Sequence, residues 1–322
     1  MASKKAAQGT ALVLRTCSAD MTSYGGFQWP NEVGAVVEAP DWKKNDECGN
    51  GLHGWLFGHG DHGCSSSIKE EGAKWLVVEV ILSDTIALGG KVKFPRCTIR
   101  HIGDQASATQ FLEENESRAK DVAVIGACRQ VGEKSVVQVG ALGTASAGNE
   151  GTASAGDWGT ASAGDWGTAS AGNEGTASAG NEGTASAGDW GTASAGDWGT
   201  ASAGYKGTAS AGYKGTASAG DWGTASAGNE GTASAGDWGT ASAGNEGTAS
   251  AGDWGTASAG NEGTASAGYK GTASAGEKGE IRIRYWDRKA ERYRTVVGYI
   301  GEDGLEPNTP YKLDDNRKFV KA

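Results

Sequence analysis

Several familiar signatures are missing from this chain. Proline and phenylalanine each appear five times and methionine twice in 322 residues. The apolar run that follows Lys4 and Lys5 is only Ala11–Leu14. It is far below the roughly 20 residues of a spanning helix and too short for the core of a secretory signal. Five cysteines (17, 48, 64, 97 and 128) are an odd number in a sequence without an export signal. Reduced thiols in a cytoplasmic protein are therefore the expectation, with no insertion into a membrane. There is no P-loop, no Gly-x-Ser-x-Gly and no Rossmann fingerprint. What the chain does have is glycine, 55 residues of it, most at strictly regular positions.

The regularity runs from Gly143 to Lys278 as seventeen consecutive octads, Gly-Thr-Ala-Ser-Ala-Gly-x-x, without insertion or slip. Only the last pair varies, among Asp-Trp, Asn-Glu, Tyr-Lys and one terminal Glu-Lys. A fixed period means a small unit stacked on itself, because one octad has too little apolar surface to bury alone. Two glycines per octad disfavour helix by roughly 2 kcal/mol against alanine. Collagen needs glycine at every third position, whereas here the spacing alternates between five and three. A flexible linker would have no reason to hold Trp or Tyr at a fixed phase. The remaining reading is a β-solenoid.

Strand alternation puts Thr and Ser on one face and Gly and Ala on the other. Small residues then form a thin core, and hydroxyls form outward ladders repeating every ~4.8 Å. Ala-Gly-x-x becomes the corner, with glycine taking the conformation that other residues resist. Eight residues cannot enclose side chains, so two octads, sixteen residues, are expected per flat coil, about eight and a half coils in a rod ~40 Å long. The outward ladder begins with Thr144, Ser146, Thr152, Ser154, Thr160 and Ser162. Sorting alternate octads separates two edges. One carries Trp158, Trp190, Tyr205, Trp222, Trp238, Trp254 and Tyr269, interrupted by Asn173-Glu174. The other is mostly acidic, with Trp166, Trp198 and Tyr213 as its aromatics. An aromatic edge several coils long suits self-association into dimers or filaments.

The octad resembles that of the bacterial ice nucleation proteins, whose Ala-Gly-Tyr-Gly-Ser-Thr-x-Thr repeats pair into sixteen-residue coils. Ala-Gly-x-x-Gly-Thr-Ala-Ser matches in frame, with Ser in place of the second outward Thr. The resemblance covers the repeat, under half of the chain. It implies threonine arrays that organise water into ice, and side-by-side assembly. The array here is shorter, and the change to Ser removes a methyl from every second outward site.

Net charge is −10, and the octads alone account for it, so the flanking segments are neutral together. A rod of that sign repels nucleic acid and anionic membranes. After a short N-terminal tail (1–9), residues 10–130 read as an α+β head. Strands are expected at Ala11–Thr16, Ala35–Ala39, Lys74–Leu82, Lys91–Phe94 and Val122–Gly126. One helix is expected over Gly103–Lys120, with Ser107 and Gln110 as a capping box. Residues 131–142 fit the octad frame with larger side chains and read as a capping coil to the solenoid (131–280). Residues 281–322 read as a small β cap made of two hairpins. The head motifs Leu14-Arg15-Thr16-Cys17, Gly26-Phe27-Gln28-Trp29-Pro30, Cys48-x-x-Gly51-Leu52-His53-Gly54 and Lys91-Val92-Lys93-Phe94-Pro95 resemble an uncharacterised domain family of bacterial and phage proteins. In that family the domain often stands ahead of short tandem repeats and a small C-terminal module.

Two chemical clusters stand out in the head. Cys48, His53, His59, His62 and Cys64 lie within seventeen residues on Gly-rich sequence and make zinc the one candidate cofactor, although the spacing matches no standard finger. Arg15, Tyr24, His53 and Glu79 form a second set if they converge on one cleft. Their order resembles ADP-ribosyltransferase-like arrangements, without the Ser-Thr-Ser segment before the glutamate. Solvated strand residues and a hydrogen-bonded loop histidine explain the same positions without chemistry. The primary expectation is a non-enzymatic repeat scaffold without cofactor or catalytic residues, with itself as partner. Water organisation by the Thr-x-Ser ladder is the second reading, and a metal-binding or enzymatic head the third.

Overall fold

Each Thr-Ala-Ser-Ala segment forms a short strand, seventeen in succession from Thr144–Ser146 to Thr272–Ala275, in the computed structural model, which describes residues 9–322. Every strand pairs in parallel with the one sixteen residues away: Thr152 lies opposite Thr168, Ala153 opposite Ala169 and Ser154 opposite Ser170. The same register links Thr160 to Thr176 on the other side. Alternate octads thus build two sheets, which with three flanking strands each number 12 and 11 strands, and two octads make one coil, as the sequence predicts. The third residue of each octad, alanine, is fully buried, while its Thr neighbour is exposed in most coils and its Ser half-buried. Nothing larger than a methyl fills the space between the sheets, so the backbones themselves are close-packed.

The corner differs from the sequence expectation. Its left-handed residue is the second of the variable pair, at φ 55° for Glu150, 56° for Trp158 and 61° for Trp254. The octad glycines do not have left-handed φ; a Cβ on Gly239 would lie 2.8 Å from the Ala235 methyl and 3.0 Å from the Gly223 carbonyl oxygen. Glycine serves close approach here, and the strain of a left-handed backbone, roughly 1–2 kcal/mol, falls on Glu, Trp and Lys.

The octad frame continues outside the perfect repeats. Lys134 and Leu142 are left-handed at φ 53° and 61°, and Val137 and Val139 are buried where octads have Ala. At the other end Glu280–Asp287 adds in parallel to Thr264–Ala267, with Ile281 and Ile283 in place of alanines. Its next neighbour, Arg292–Tyr299, is antiparallel. On the opposite sheet Tyr311 pairs antiparallel with Ala273, and Phe319–Lys321 follows Tyr311–Leu313. Both ladders thus end in antiparallel hairpins, which cover an open parallel edge.

By chain contacts there are two compact units: one reaches Arg129 and includes Gln138–Thr144, the other holds Gln130–Val137 and Ala145–Ala322. The first has a seven-stranded antiparallel sheet in the order Val36–Glu38, Arg96–Gly103, Lys74–Ile81, Thr10–Cys17, Leu52–Leu56, Val92–Phe94 and Ile86–Ala87. The central strand Thr10–Cys17 is buried from Ala11 onward. Ala11 and Val13 join Leu76, Val78, Phe94 and Ile99 in one core. The helix Gln105–Asn115 packs on the sheet through Ala108 and Leu112. Sequence reading missed Leu52–Leu56, Ile86–Ala87 and Arg96–Gly103, and Val122–Gly126 is not a strand. The helix is shorter than predicted, because Asp104 is its N-cap and Ser107 the reciprocal partner, which leaves Gln110 outside the capping box. Among the described residues no helix is long and apolar enough to cross a membrane.

Candidate functional site

Three surfaces position the residues singled out from the sequence. The first is the pair of hydroxyl faces. Thr144, Ser146, Thr160 and Ser162 belong to one sheet, and Thr152 and Ser154 to the other. Along each sheet Thr follows Thr and Ser follows Ser at successive coils. The branched threonine side chain has few χ1 states, so its hydroxyl is held on a regular grid. Serine lacks that restraint and is half-buried in most coils, and at the C-terminal end of one sheet Ser274 Oγ donates to Ser258 Oγ at 3.1 Å. Ordered exposure therefore rests mainly on threonine.

The second surface is the aromatic edge, and the sequence-derived set Trp158 to Tyr269 falls on it. Trp222, Trp238 and Trp254 stack face to face, with centroids 5.2 and 4.9 Å apart and planes within 6° and 2°. Trp190 meets Tyr205 edge-on at 6.3 Å, and Tyr269 meets Tyr293 of the C-terminal hairpin. Each tryptophan contact adds about 0.5–1.5 kcal/mol beyond its buried area. Trp190, Trp222, Trp238 and Trp254 remain exposed nonetheless.

The corners also contain an interaction that sequence reasoning missed. The first residue of each variable pair is usually Asp or Asn, and its Oδ1 accepts from the backbone N–H of the residue sixteen positions on. Asn149 does so for Asp165, Asp157 for Asn173 and Asp237 for Asp253, at 2.7–3.0 Å. Tyr205 and Tyr213 receive such a bond but have no carboxyl to pass it on. Each Tyr-Lys pair stands one coil after an Asp-Trp pair. Its lysine lies over that tryptophan: Lys206 over Trp190 at 4.3 Å, Lys214 over Trp198 at 4.8 Å and Lys270 over Trp254 at 4.4 Å. Such contacts contribute about 0.5–1 kcal/mol each when exposed. The order of the pairs at sixteen-residue spacing was the signal that would have revealed this. The acidic edge is organised likewise, with Lys214 paired to Glu230 at 3.1 Å and Lys278 to Glu262 at 3.5 Å on either side of Glu246.

The third surface is a cleft of about 690 Å³ in the head. Arg15, Tyr24 and His53 line it together, so three of the four residues of the second head cluster converge. Glu79 does not: it accepts from Thr10 Oγ1 at 3.0 Å and pairs with Arg100 at 2.7 Å, and it is not among the lining residues. Of the candidate zinc ligands, His53 and Cys64 line this same cleft, and Cys48, His59 and His62 do not. Cys48 is exposed, His53 sits on the strand Leu52–Leu56, and His59 Nδ1 lies 3.1 Å from the Ala123 carbonyl oxygen. His62 and Cys64 share a short turn in which Cys64 Sγ lies 3.7 Å from Asp61 Oδ2. Among the described residues no three His, Cys, Asp or Glu side chains are grouped as metal ligands.

Fold and surface together define a two-sided β-solenoid with hydroxyl faces and, as a separate unit, a sheet domain with its own cleft. The chain is similar to ice nucleation proteins. It is 38% identical to that of Pseudomonas syringae over 109 residues, 33% of this chain and 9% of the relative. It is likewise 38% identical to the ice nucleation protein InaU of Pantoea ananas over 103 residues, 31% of this chain and 10% of the relative. To that of Xanthomonas campestris pv. translucens the identity is 34% over 106 residues, 32% and 6% of the two chains. The chain thus matches a tenth or less of the length of these relatives. Residues 11–114 match a family described as Domain of unknown function (DUF7666). No solved structure matches significantly.

Proposed function

We propose that the solenoid organises water on its threonine faces and promotes ice formation, without catalysis. The observation that carries this reading is the in-register threonine ladder on both sheets, one hydroxyl and one methyl per strand, exposed in most coils. Similarity to proteins named for ice nucleation supports it. A regular array of hydroxyls with few rotamers holds adjacent waters in fixed relation, where a mobile polar surface would not.

Droplet freezing tests the proposal. Full-length protein will raise the median freezing temperature of water droplets above that of buffer. Lysine at Thr176, Thr192, Thr208 and Thr224 on one sheet and Thr184, Thr200, Thr216 and Thr232 on the other will return it to the buffer value, with circular dichroism showing retained β-structure. Wild-type droplets that freeze with buffer, or a folded lysine variant as active as wild type, would each refute the idea.

A second reading, a self-assembling scaffold, is supported by the face-to-face ladder of Trp222, Trp238 and Trp254. Stacked and still exposed, it offers a flat apolar strip to a second copy. Sedimentation at micromolar concentration will show dimers or larger species, and serine at the three tryptophans will reduce them to monomer. A wild-type protein that sediments as monomer throughout removes this reading.

A further inference from the structure

The head cleft contains a cation that has no counter-ion among the described residues. Arg15 leaves the central strand opposite Gly54, where a Cβ would lie 2.7 Å from the Leu14 carbonyl oxygen, so glycine lets the two strands close around the arginine stem. Only 9% of Arg15 is exposed. Its guanidinium lies 3.7 Å from the centre of the Trp29 ring. Nη1 donates to the His53 carbonyl oxygen at 3.2 Å, and Nη2 to that of Thr16 at 3.4 Å. A guanidinium has five N–H donors, and the buried Nε has no partner.

Among the described residues no acidic side chain pairs with this charge. Besides burial, the groups that act on Arg15 are Cys17, by charge and as a side-chain hydrogen-bond partner, and Cys97 by charge. Burial raises both thiols, Cys97 to about 12, which keeps them neutral near pH 7. His53 adds a second unpartnered buried atom, Nε2. Burial, followed by the charges of Lys91, Arg15 and Lys93, lowers its pKa to about 4 against the opposing charge of Asp41, so the ring is neutral and cations outnumber the one carboxylate around it. Lys93 is occupied by Asn45 Oδ1 and the Glu47 carbonyl oxygen, but Lys91 lines the cleft. A buried, uncompensated guanidinium is costly and marks a place where an anion gains affinity.

The rest of the lining narrows the ligand class. Tyr24 stands at the rim, 98% exposed, and Phe27 packs edge-on against Trp29. Asp41, held by Asn50 Nδ2 at 3.3 Å, is the one carboxylate among the lining residues and offers an acceptor for hydroxyl groups. The volume is that of a small-molecule site. We propose that this cleft binds a small organic anion of mononucleotide size. Its phosphate or carboxylate lies on Arg15 and Lys91, its hydroxyls reach Asp41, and its flat ring rests against Tyr24 and Phe27. The inference is independent of what the solenoid does.

Calorimetric titration of the full chain with the four common ribonucleoside monophosphates, their uncharged nucleosides and inorganic phosphate is the test. At least one monophosphate will bind saturably, and its nucleoside and free phosphate will each bind about tenfold more weakly or worse. Arg15→Gln will weaken the monophosphate about tenfold or more. Tyr24→Ala, at a position that packs against little, will weaken it several-fold, and it decides the matter if Arg15→Gln does not fold. Absence of binding by every monophosphate at millimolar concentration overturns the proposal. So does a monophosphate affinity unchanged by Arg15→Gln, or by Tyr24→Ala where the arginine variant is unfolded, or free phosphate that binds as tightly.

Discussion

Alanine in place of Gly236 will open the solenoid locally and lower its resistance to denaturant by an amount out of scale with one methyl group. A Cβ at this position would lie 2.7 Å from the backbone nitrogen of Asp221 and 2.9 Å from its Cα, and would strike the Asp221 carboxylate oxygen as well. That oxygen accepts the N–H of Asp237 at 2.9 Å, the residue next to Gly236, so the methyl displaces a rung of the corner ladder while pushing two coils apart. The obstructing atoms are mostly backbone, and no rotamer change relieves them. Overpacking of this kind costs about 1–3 kcal/mol and occasionally more, with a lost hydrogen bond of roughly 1 kcal/mol added. A stacked array loses stability between neighbours first. Amide exchange should therefore accelerate at Asp237 and Thr240 ahead of distant coils. Thr232→Ala, on the open face, is the control and will change exchange little. If Gly236→Ala matches that control, close approach is not the reason for the second octad glycine.

How much of this was legible beforehand follows from how the information is stored. The solenoid was readable because periodicity is a property of the sequence itself: sixteen-residue coils, buried Ala153 and exposed Thr176 all follow from counting. The corner was misread because Gly-x-x suggests that glycine takes the left-handed turn. The structure gives that conformation to Trp158 and its equivalents, since the glycines are needed where coils nearly touch. Steric need at a backbone contact and permissiveness in φ leave the same letter in a sequence. The head was harder. Leu52–Leu56 is broken by Gly54 and His53, and Arg96–Gly103 carries Arg96, Arg100 and His101, so neither has the apolar alternation of a half-buried strand. Convergence of Arg15 with His53 depends on a strand pair far apart in the chain, and the diversion of Glu79 to Arg100 depends on another. Distances of that kind are set by sheet order, which a single sequence does not display.

The variable pairs also change meaning once the sixteen-residue neighbours are known. Asp and Asn are acceptors for the next coil, and Trp is a plate for the following Trp or Lys. Tyr interrupts the acceptor ladder but keeps the ring contact. Variation at the corners is thus a choice among compatible neighbours along each edge, which leaves the threonine faces unchanged from coil to coil. Constancy on the faces and neighbour matching at the edges are what a working surface with stabilised margins requires.

In the head the largest effect is expected at Glu116. Its carboxylate is 2% exposed and accepts from Leu12 N at 3.1 Å, from Arg118 Nε and Nη2 at 2.6 Å each, and from Arg118 N at 3.3 Å. Arg118 in turn donates to the Thr10 carbonyl oxygen at 2.8 Å and covers the Phe57 ring. This single carboxylate therefore ties the turn after the helix to the central strand. Burial by itself would raise its pKa, but the hydrogen bonds from Arg118 and Leu12, with the charge of Arg118, together outweigh that and hold it below the ordinary glutamate value. Glu116→Ala leaves the Leu12 N–H buried without a partner and Arg118 without its counter-ion, a loss of about 3 kcal/mol because Arg118 still reaches solvent. A depressed folded pKa also fixes the sign of the pH effect. Its stabilisation is complete above the unfolded glutamate value, about 4.3, and is lost as pH falls through the lower folded value. Amide exchange over residues 10–17 of the full chain will accelerate in wild type as pH falls below about 4, after correction for the intrinsic rate. In Glu116→Gln that acid-dependent component will be smaller and the protection at neutral pH lower. Equal acid sensitivity in the two proteins would show that the stability of the central strand does not depend on this carboxylate.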